Sequence, residues 1–127
     1  MGTIRSPNCK MQGCQEVGTL SHELIFCAKN NDVGVNLLNC LQQYVPGIDA
    51  EAALRLDHGL IAENLSLPLT LITAIVLHSI WKEREQGSAI LAYKIRAELE
   101  QYINLLRTSR LANTATLLQE MLEKMSN

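Results

Sequence analysis

Apolar residues recur at helical spacing from about residue 31 to the C-terminal end of this chain. In the first such stretch, residues 31–44, they return every three or four positions and define one buried face of a helix. This face consists of Val33, Leu37, Leu41 and Tyr44. Pro46 and Gly47 follow at once and predict the end of the helix.

Two further helices are predicted in the middle of the chain. Asp49 is a suitable N-cap for a short helix over AEAALRLDH, which would end at Gly59. A longer helix is expected to begin at the N-cap Ser66, with Pro68 in its first turn, and to run to about Gln86. Because its first half is apolar nearly all round, we place this helix at the centre of a bundle.

The last third of the chain carries two amphipathic stripes that are out of phase by one residue across the sequence RTSR. Either one helix ends there and Ser109 caps a second, or one helix continues with a shifted face. The stripes are Ile95, Leu99, Tyr102, Ile103 and Leu106, then Leu111, Ala115, Leu118, Leu122 and Met125. With no strand pattern after residue 30, we predict an all-α fold: a bundle of four to five helices over residues 31–127, with long C-terminal amphipathic helices, preceded by a small segment over residues 1–30.

Composition agrees with a folded helical domain and argues against some functions. Of the 127 residues, 47% are hydrophobic but only 4% aromatic, and the abundance of Leu, Ile and Ala favours helices. The net charge of −2 argues against strong non-specific binding of nucleic acid. The apolar run Leu67–Trp81 has 15 residues. A membrane span needs about 20, so we predict a core helix and no membrane association.

The cellular compartment is expected to be reducing. The N-terminal sequence MGTIRSPNCK lacks the apolar stretch of a signal peptide, so we expect an intracellular protein of the cytoplasm or nucleus. In such a compartment, clustered cysteines more often bind metal than form disulfides.

Three of the four cysteines and one of the three histidines follow the spacing C-x4-C-x7-H-x4-C near the start of the chain. Thiolate and imidazole are the ligands that Zn²⁺ prefers, and Gly13 lets the first pair fold back on itself. The second pair, HELIFC, looks like a helical turn that must end near its cysteine, because residues five apart lie about 140° out of line on an ideal helix. The predicted zinc ligands are Cys9, Cys14, His22 and Cys27.

The alternative interpretation is that these are ordinary small residues, with Cys27 buried and His22 exposed. The remaining cysteine, Cys40, lies in the next helix and is predicted to be a core residue. His58 is predicted to be solvated, and His78 to be a hydrogen-bonded residue of the core or its boundary.

The opening arrangement and the helical blocks after it resemble the region downstream of the polymerase in non-LTR (LINE-like) retrotransposon reverse transcriptases. The likeness runs from Cys9 to about Met125 through VGVNLLNCLQQYVPG, AEAALRL, SLPLTLITAIVLHSIWKEREQG and YKIRAELEQYINLLRTSRLANTATLLQEML. It implies a retrotransposon-derived fragment whose CCHC zinc knuckle uses the four positions named above. The polymerase of such elements carries a metal-binding aspartate pair, whereas Asp32, Asp49 and Asp57 are nowhere adjacent, so we predict no enzyme.

Three functions follow from these observations. The knuckle could bind RNA or single-stranded DNA weakly, with one aromatic side chain stacking on a base and nearby cations pairing with phosphates, as the resemblance implies. The residues for this role are Arg5, Lys10, Phe26 and Lys29. Alternatively, zinc is purely structural and the chain binds another protein, or a second copy of itself through the C-terminal helices. In the third alternative, the chain has no selected function and is an expressed fragment of a mobile element.

Overall fold

The computed structural model describes Cys14 together with residues 18–59 and 61–125. In these residues the chain forms five α-helices and two short helical turns without any strand, which confirms the predicted all-α fold. The elements are a π-turn (His22–Phe26), a 3-10 turn (Ala28–Asn30), α1 (Val33–Tyr44), α2 (Ala50–Leu54), α3 (Glu63–Glu85), α4 (Ala92–Arg107) and α5 (Ala112–Met125).

Local signals in the sequence account for several helix ends. The carboxylate of Asp49 accepts a hydrogen bond from the backbone N–H of Ala52 at 2.8 Å, so the predicted cap of α2 is present. α2 ends at Leu54, well before the predicted stop. α3 ends where expected, because Gly87 adopts a positive φ of 72° that a helix cannot continue.

The predicted start of α3 is wrong. The helix begins at Glu63, so Ser66 and Pro68 lie inside it. Pro68 has no N–H to donate to the carbonyl of Asn64, which is a cost in a helix interior. Asn64 is exposed, so water can serve its carbonyl, and the ring of Pro68 is buried beside Leu69. Burial of the ring opposes the cost of the lost hydrogen bond.

The C-terminal third forms two helices rather than one. α4 ends at Arg107, and α5 begins at Ala112. The hydroxyl of Ser109 joins them, because it donates to the carbonyl of Leu106 at 2.8 Å and accepts from the N–H of Leu111 at 3.0 Å. This turn explains the shift of one residue between the two apolar stripes.

The core lies where α3, α4 and α5 pack together, with α1 against α3 and α5. Its largest fully buried side chains in the helices are Leu37, Leu41, Leu69, Ile72, Ile80, Leu99, Ile103, Leu118, Met121 and Leu122. Cys40 is fully buried among them, as predicted. Its thiol donates to the carbonyl of Met121 at 3.3 Å, and burial raises the pKa of this thiol to about 11. Cys40 is therefore an inert core residue.

Two histidine predictions are wrong. His58 is buried, with 6% of its surface exposed, and lies between the left-handed residues Leu56 and Gly59. Its Nε2 atom has no hydrogen-bond partner, and burial lowers the pKa of the ring. His78 is exposed instead and lies against Trp81, with 5.9 Å between ring centroids.

The position of His78 shows that the described part of the chain covers α3 on one side only. The helix packs on α1, α4 and α5 as predicted for a core helix, yet its opposite side reaches the surface. By length and composition α3 is also the one helix of the described residues that could cross a membrane. That is weak evidence for a membrane, since core helices of soluble proteins pass the same test.

Candidate metal centre

The π-turn places His22 and Cys27 on one side of the chain. The N–H of Cys27 donates to the carbonyl of His22 at 2.7 Å, a bond that spans five residues instead of the four of an α-helix. Cys27 then leaves the helical conformation, with φ −59° and ψ 129°. The helical turn thus ends at the cysteine, as the spacing of the pair requires.

Thr19 fixes the beginning of the same turn. Its hydroxyl accepts the N–H of His22 at 3.1 Å, and its carbonyl accepts the N–H of Glu23 at 2.9 Å. These two bonds satisfy backbone donors that the first turn of any helix leaves without partners. The backbone that carries the imidazole is therefore held at both ends of the turn.

The side chains of Cys14, His22 and Cys27 converge. Their sulfur and nitrogen atoms all lie within 4.8 Å of one another. The Sγ of Cys14 is 3.3 Å from Nε2 of His22 and 3.8 Å from Sγ of Cys27. A disulfide bond would need about 2.05 Å, so the two sulfurs are not bonded to each other. The three residues form a group that could hold a metal ion, whereas scattered ordinary residues would not share one point.

Burial differs across this cluster. Cys27 is 1% exposed, as is Ile25 two residues before it, whereas Cys14 and His22 are half-buried. One side of the cluster is dry and the other approaches solvent. Such a position suits an ion that joins a surface segment to a folded core.

The other predicted site residues divide into two groups. Cys9, Arg5 and Lys10 lie outside the described residues. Phe26 is described and is 50% exposed, and Lys29 is exposed as well. The structure therefore brings together three of the four predicted metal ligands and leaves two of the predicted nucleic-acid contacts at the surface.

Two asparagines attach this segment to the bundle, and neither contact was predicted from the sequence. Asn30 is fully buried: its amide donates to the carbonyl of Glu23 at 2.8 Å and accepts from Arg84 of α3 at 3.0 Å. Asn31 donates to the carbonyl of Ile90 at 2.5 Å, in the α3–α4 loop. The run NND after a cysteine was the available signal, since asparagine readily bonds to nearby backbone.

Gly34 allows the π-turn to lie directly on α1. A Cβ atom at this position would stand 2.5 Å from Cα of Ile25 and 2.6 Å from the carbonyl oxygen of Leu24. Both are backbone atoms, so neither can move aside as a flexible side chain would. Only glycine permits this close approach of α1 to the segment that carries His22.

Comparison with known proteins gives no match: no family model, no curated protein and no solved structure is similar to this chain. The resemblance to retrotransposon sequences is therefore supported by the quoted residues alone. The candidate metal centre is supported by the geometry of Cys14, His22 and Cys27.

Proposed function

We propose that this chain is a zinc-stapled helical binding module, in which Cys14, His22 and Cys27 bind one structural Zn²⁺ ion. The convergence of their three donor atoms within 4.8 Å is the observation that carries the proposal. Sulfur and imidazole nitrogen are the donors of structural zinc sites, and ligands about 2.3 Å from a tetrahedral ion stand about 3.8 Å apart. The separation of the two sulfurs, 3.8 Å, has that value. Cys9 is the proposed fourth ligand.

The composition of the surrounding segment supports a structural role. Between residues 18 and 32 only Ile25, Cys27 and Asn30 are buried, too few to fold this segment by apolar burial alone. Binding of a metal can supply such folding energy directly. Four protein ligands also leave no open coordination position for a substrate, so we propose a binding module and not an enzyme.

The test is the zinc content of protein purified without added metal under reducing conditions. We expect one equivalent in the native chain and loss of zinc in Cys14→Ser, His22→Ala and Cys27→Ser. Cys40→Ser is the matched control and should keep its zinc, because Cys40 is buried in the bundle away from the cluster. Cys9→Ser tests the fourth ligand. A native chain that folds with all its helices and carries no zinc would overturn the proposal.

Weak binding of single-stranded nucleic acid is a second candidate function. Phe26, half-exposed next to a proposed ligand, offers a surface on which a base can stack, and Lys29 offers a cation two residues beyond Cys27. The retrotransposon resemblance, itself a proposal, agrees with this role. The local charge limits its strength, because residues 1–30 carry three basic and two acidic side chains.

This second function can be tested by fluorescence anisotropy with a labelled oligo-U and a labelled oligo-dT. We expect weak binding that salt reduces, and a further loss in Phe26→Ala and Lys29→Ala. Lys94→Ala, an exposed lysine on α4, is the matched control and should bind as the native chain does. Equal affinity in all four proteins would exclude the role of the knuckle.

A further inference from the structure

The sulfur atoms of Cys14 and Cys27 lie beside each other but differ in their access to solvent. They stand 3.8 Å apart, so an approach of about 1.8 Å would bring them to the length of a disulfide bond. Cys14 is half-buried, whereas Cys27 is 1% exposed. An oxidant in solution therefore reaches the sulfur of Cys14 first, and the thiol of Cys27 is close by.

The backbone permits this approach. Cys14 belongs to no helix, so a movement of its side chain breaks no helical turn. Cys27 is fixed at the end of the π-turn, where its N–H donates to the carbonyl of His22 at 2.7 Å. The movement that joins the two sulfurs can therefore come from Cys14, with the π-turn and the bundle unchanged.

The place of Cys40 in the core excludes it from such chemistry. Cys40 is fully buried in α1, and its thiol donates to the carbonyl of Met121 at 3.3 Å. Burial raises the pKa of this thiol to about 11, which keeps the thiol protonated and unreactive. Among the three cysteines that the structure describes, Cys14 and Cys27 are therefore the pair placed to react.

We propose that Cys14 and Cys27 form a redox switch of the zinc centre, in which a peroxide converts the two thiols into a disulfide and the disulfide excludes zinc. The Cys14 sulfur attacks one oxygen of hydrogen peroxide: the S–O bond forms, the O–O bond breaks, and the other oxygen leaves as water with the thiol proton. The Cys27 sulfur then attacks the Cys14 sulfur: the S–S bond forms, the S–O bond breaks, and a second water leaves with the proton of Cys27. Two thiols are oxidised by two electrons, and the peroxide is reduced to two molecules of water.

The two sulfurs cannot bind zinc and each other at once. The thiolate is the form of cysteine that binds zinc, and a disulfide contains none. Only His22 and the proposed ligand Cys9 would remain, too few for a four-coordinate structural site. Glutathione would restore both thiols by thiol–disulfide exchange and would itself be oxidised to its disulfide. The exchange of zinc for a disulfide rests on the zinc centre proposed above, whereas formation of the disulfide rests on the two sulfurs alone.

Trypsin separates the possible disulfides of this chain. Cleavage after lysine and arginine yields one peptide, residues 11–29, that contains both Cys14 and Cys27. Cys9 and Cys40 each fall in a different peptide. A disulfide between Cys14 and Cys27 makes the peptide lighter by two hydrogen atoms, whereas a disulfide to any other cysteine joins two peptides. Mass spectrometry therefore identifies the pair directly.

The experiment treats the whole zinc-loaded chain with increasing hydrogen peroxide, alkylates the remaining thiols and measures released zinc with a chromogenic chelator. We expect one equivalent of zinc released for each disulfide within residues 11–29, and recovery of both thiols with glutathione. Cys40→Ser is the matched control and should match the native chain. His22→Ala keeps both sulfurs but lacks one zinc ligand, so it should form the same disulfide at a lower peroxide concentration.

Three results would overturn the proposal, and the zinc content before oxidation distinguishes them. In a chain that binds zinc, the first is sulfurs that peroxide oxidises singly or joins to Cys9 or Cys40. The second is the same set of disulfides in the folded chain and in the urea-unfolded chain, where the shorter loop between Cys9 and Cys14 is favoured. Both leave the zinc centre in place. The third is a chain that binds no zinc, which overturns the zinc centre and the exchange together.

Discussion

The segment that carries Cys14, His22 and Cys27 is stabilised by different means from the helical bundle. Of the fifteen residues from 18 to 32, three are buried, and one of these is the polar Asn30. The bundle buries aliphatic side chains from α1, α3, α4 and α5 in one continuous core. Apolar burial therefore accounts for the bundle, whereas the segment depends on directional contacts: two sulfurs, one imidazole and a few amide hydrogen bonds.

This difference predicts which region of the molecule a given substitution should affect. Loss of a core side chain weakens every helix together, because the bundle shares one core. Loss of a ligand should open the segment and leave the bundle folded, as expected for a unit of low local stability. The two regions meet at Gly34 and at the Asn30–Arg84 hydrogen bond, and changes there should affect both.

The largest expected effect is in the core. Leu41→Ala removes a side chain with no exposed surface and should lower the free energy of unfolding by about 2–5 kcal/mol without changing the zinc content. Urea denaturation followed by circular dichroism measures the change. Leu105→Ala is the control: this leucine is 68% exposed, and its loss should cost less than about 0.5 kcal/mol. Equal effects of the two changes would contradict the described core.

A smaller effect, but on both regions, is expected from Gly34→Ala. The new methyl group would clash with the backbone of Ile25, so we expect a loss of about 1–3 kcal/mol in stability and weaker zinc binding. Denaturation and a competition titration with a zinc chelator measure the two effects. Asn39→Ala, an exposed change in the same helix, should alter neither. Unchanged zinc affinity in Gly34→Ala would mean that the π-turn can bind zinc without its close contact with α1.

Removal of the proposed zinc ion should affect only the N-terminal segment. With zinc chelated, we expect the amides of residues 19–31 to lose protection from hydrogen exchange, since few apolar contacts hold them. Amides in the middle of α4 and α5 should keep their protection and serve as the internal control. A loss of protection throughout the chain would show that the bundle also depends on the ion.

Local patterns were enough to predict much of the fold. The spacing of Val33, Leu37 and Leu41 predicted α1, and Asp49 and Gly87 marked a beginning and an end, because helix periodicity, caps and left-handed glycines are properties of neighbouring residues. The convergence of Cys14, His22 and Cys27, three candidate metal ligands, was also predicted, because these residues lie close together in the sequence.

Long-range packing decided what the sequence did not predict. Pro68 lies inside α3 with its ring buried, and His58 is buried between the left-handed residues Leu56 and Gly59. The π-turn that aligns His22 with Cys27 leaves no periodic signal in five residues. Because the first half of α3 is apolar nearly all round, its sequence predicted a central position. Periodicity alone does not show which side of the helix is exposed.

The smallest effect concerns the polar contact between α3 and α4. Ser79 donates to Glu98 at 2.5 Å and Lys82 donates to it at 2.9 Å, and these bonds lower the pKa of Glu98 from 4.5. Because the folded chain favours the ionised carboxylate, this contact stabilises the bundle above pH 4.5 and is lost as the pH falls through the lowered pKa. Lys82 and Glu98 are more than a third exposed, so solvent screens the contact and its contribution to stability is small. Glu98→Gln should lose less melting temperature on acidification than the native chain, whereas the exposed Glu123→Gln should match it; identical acid profiles for all three would contradict the contact.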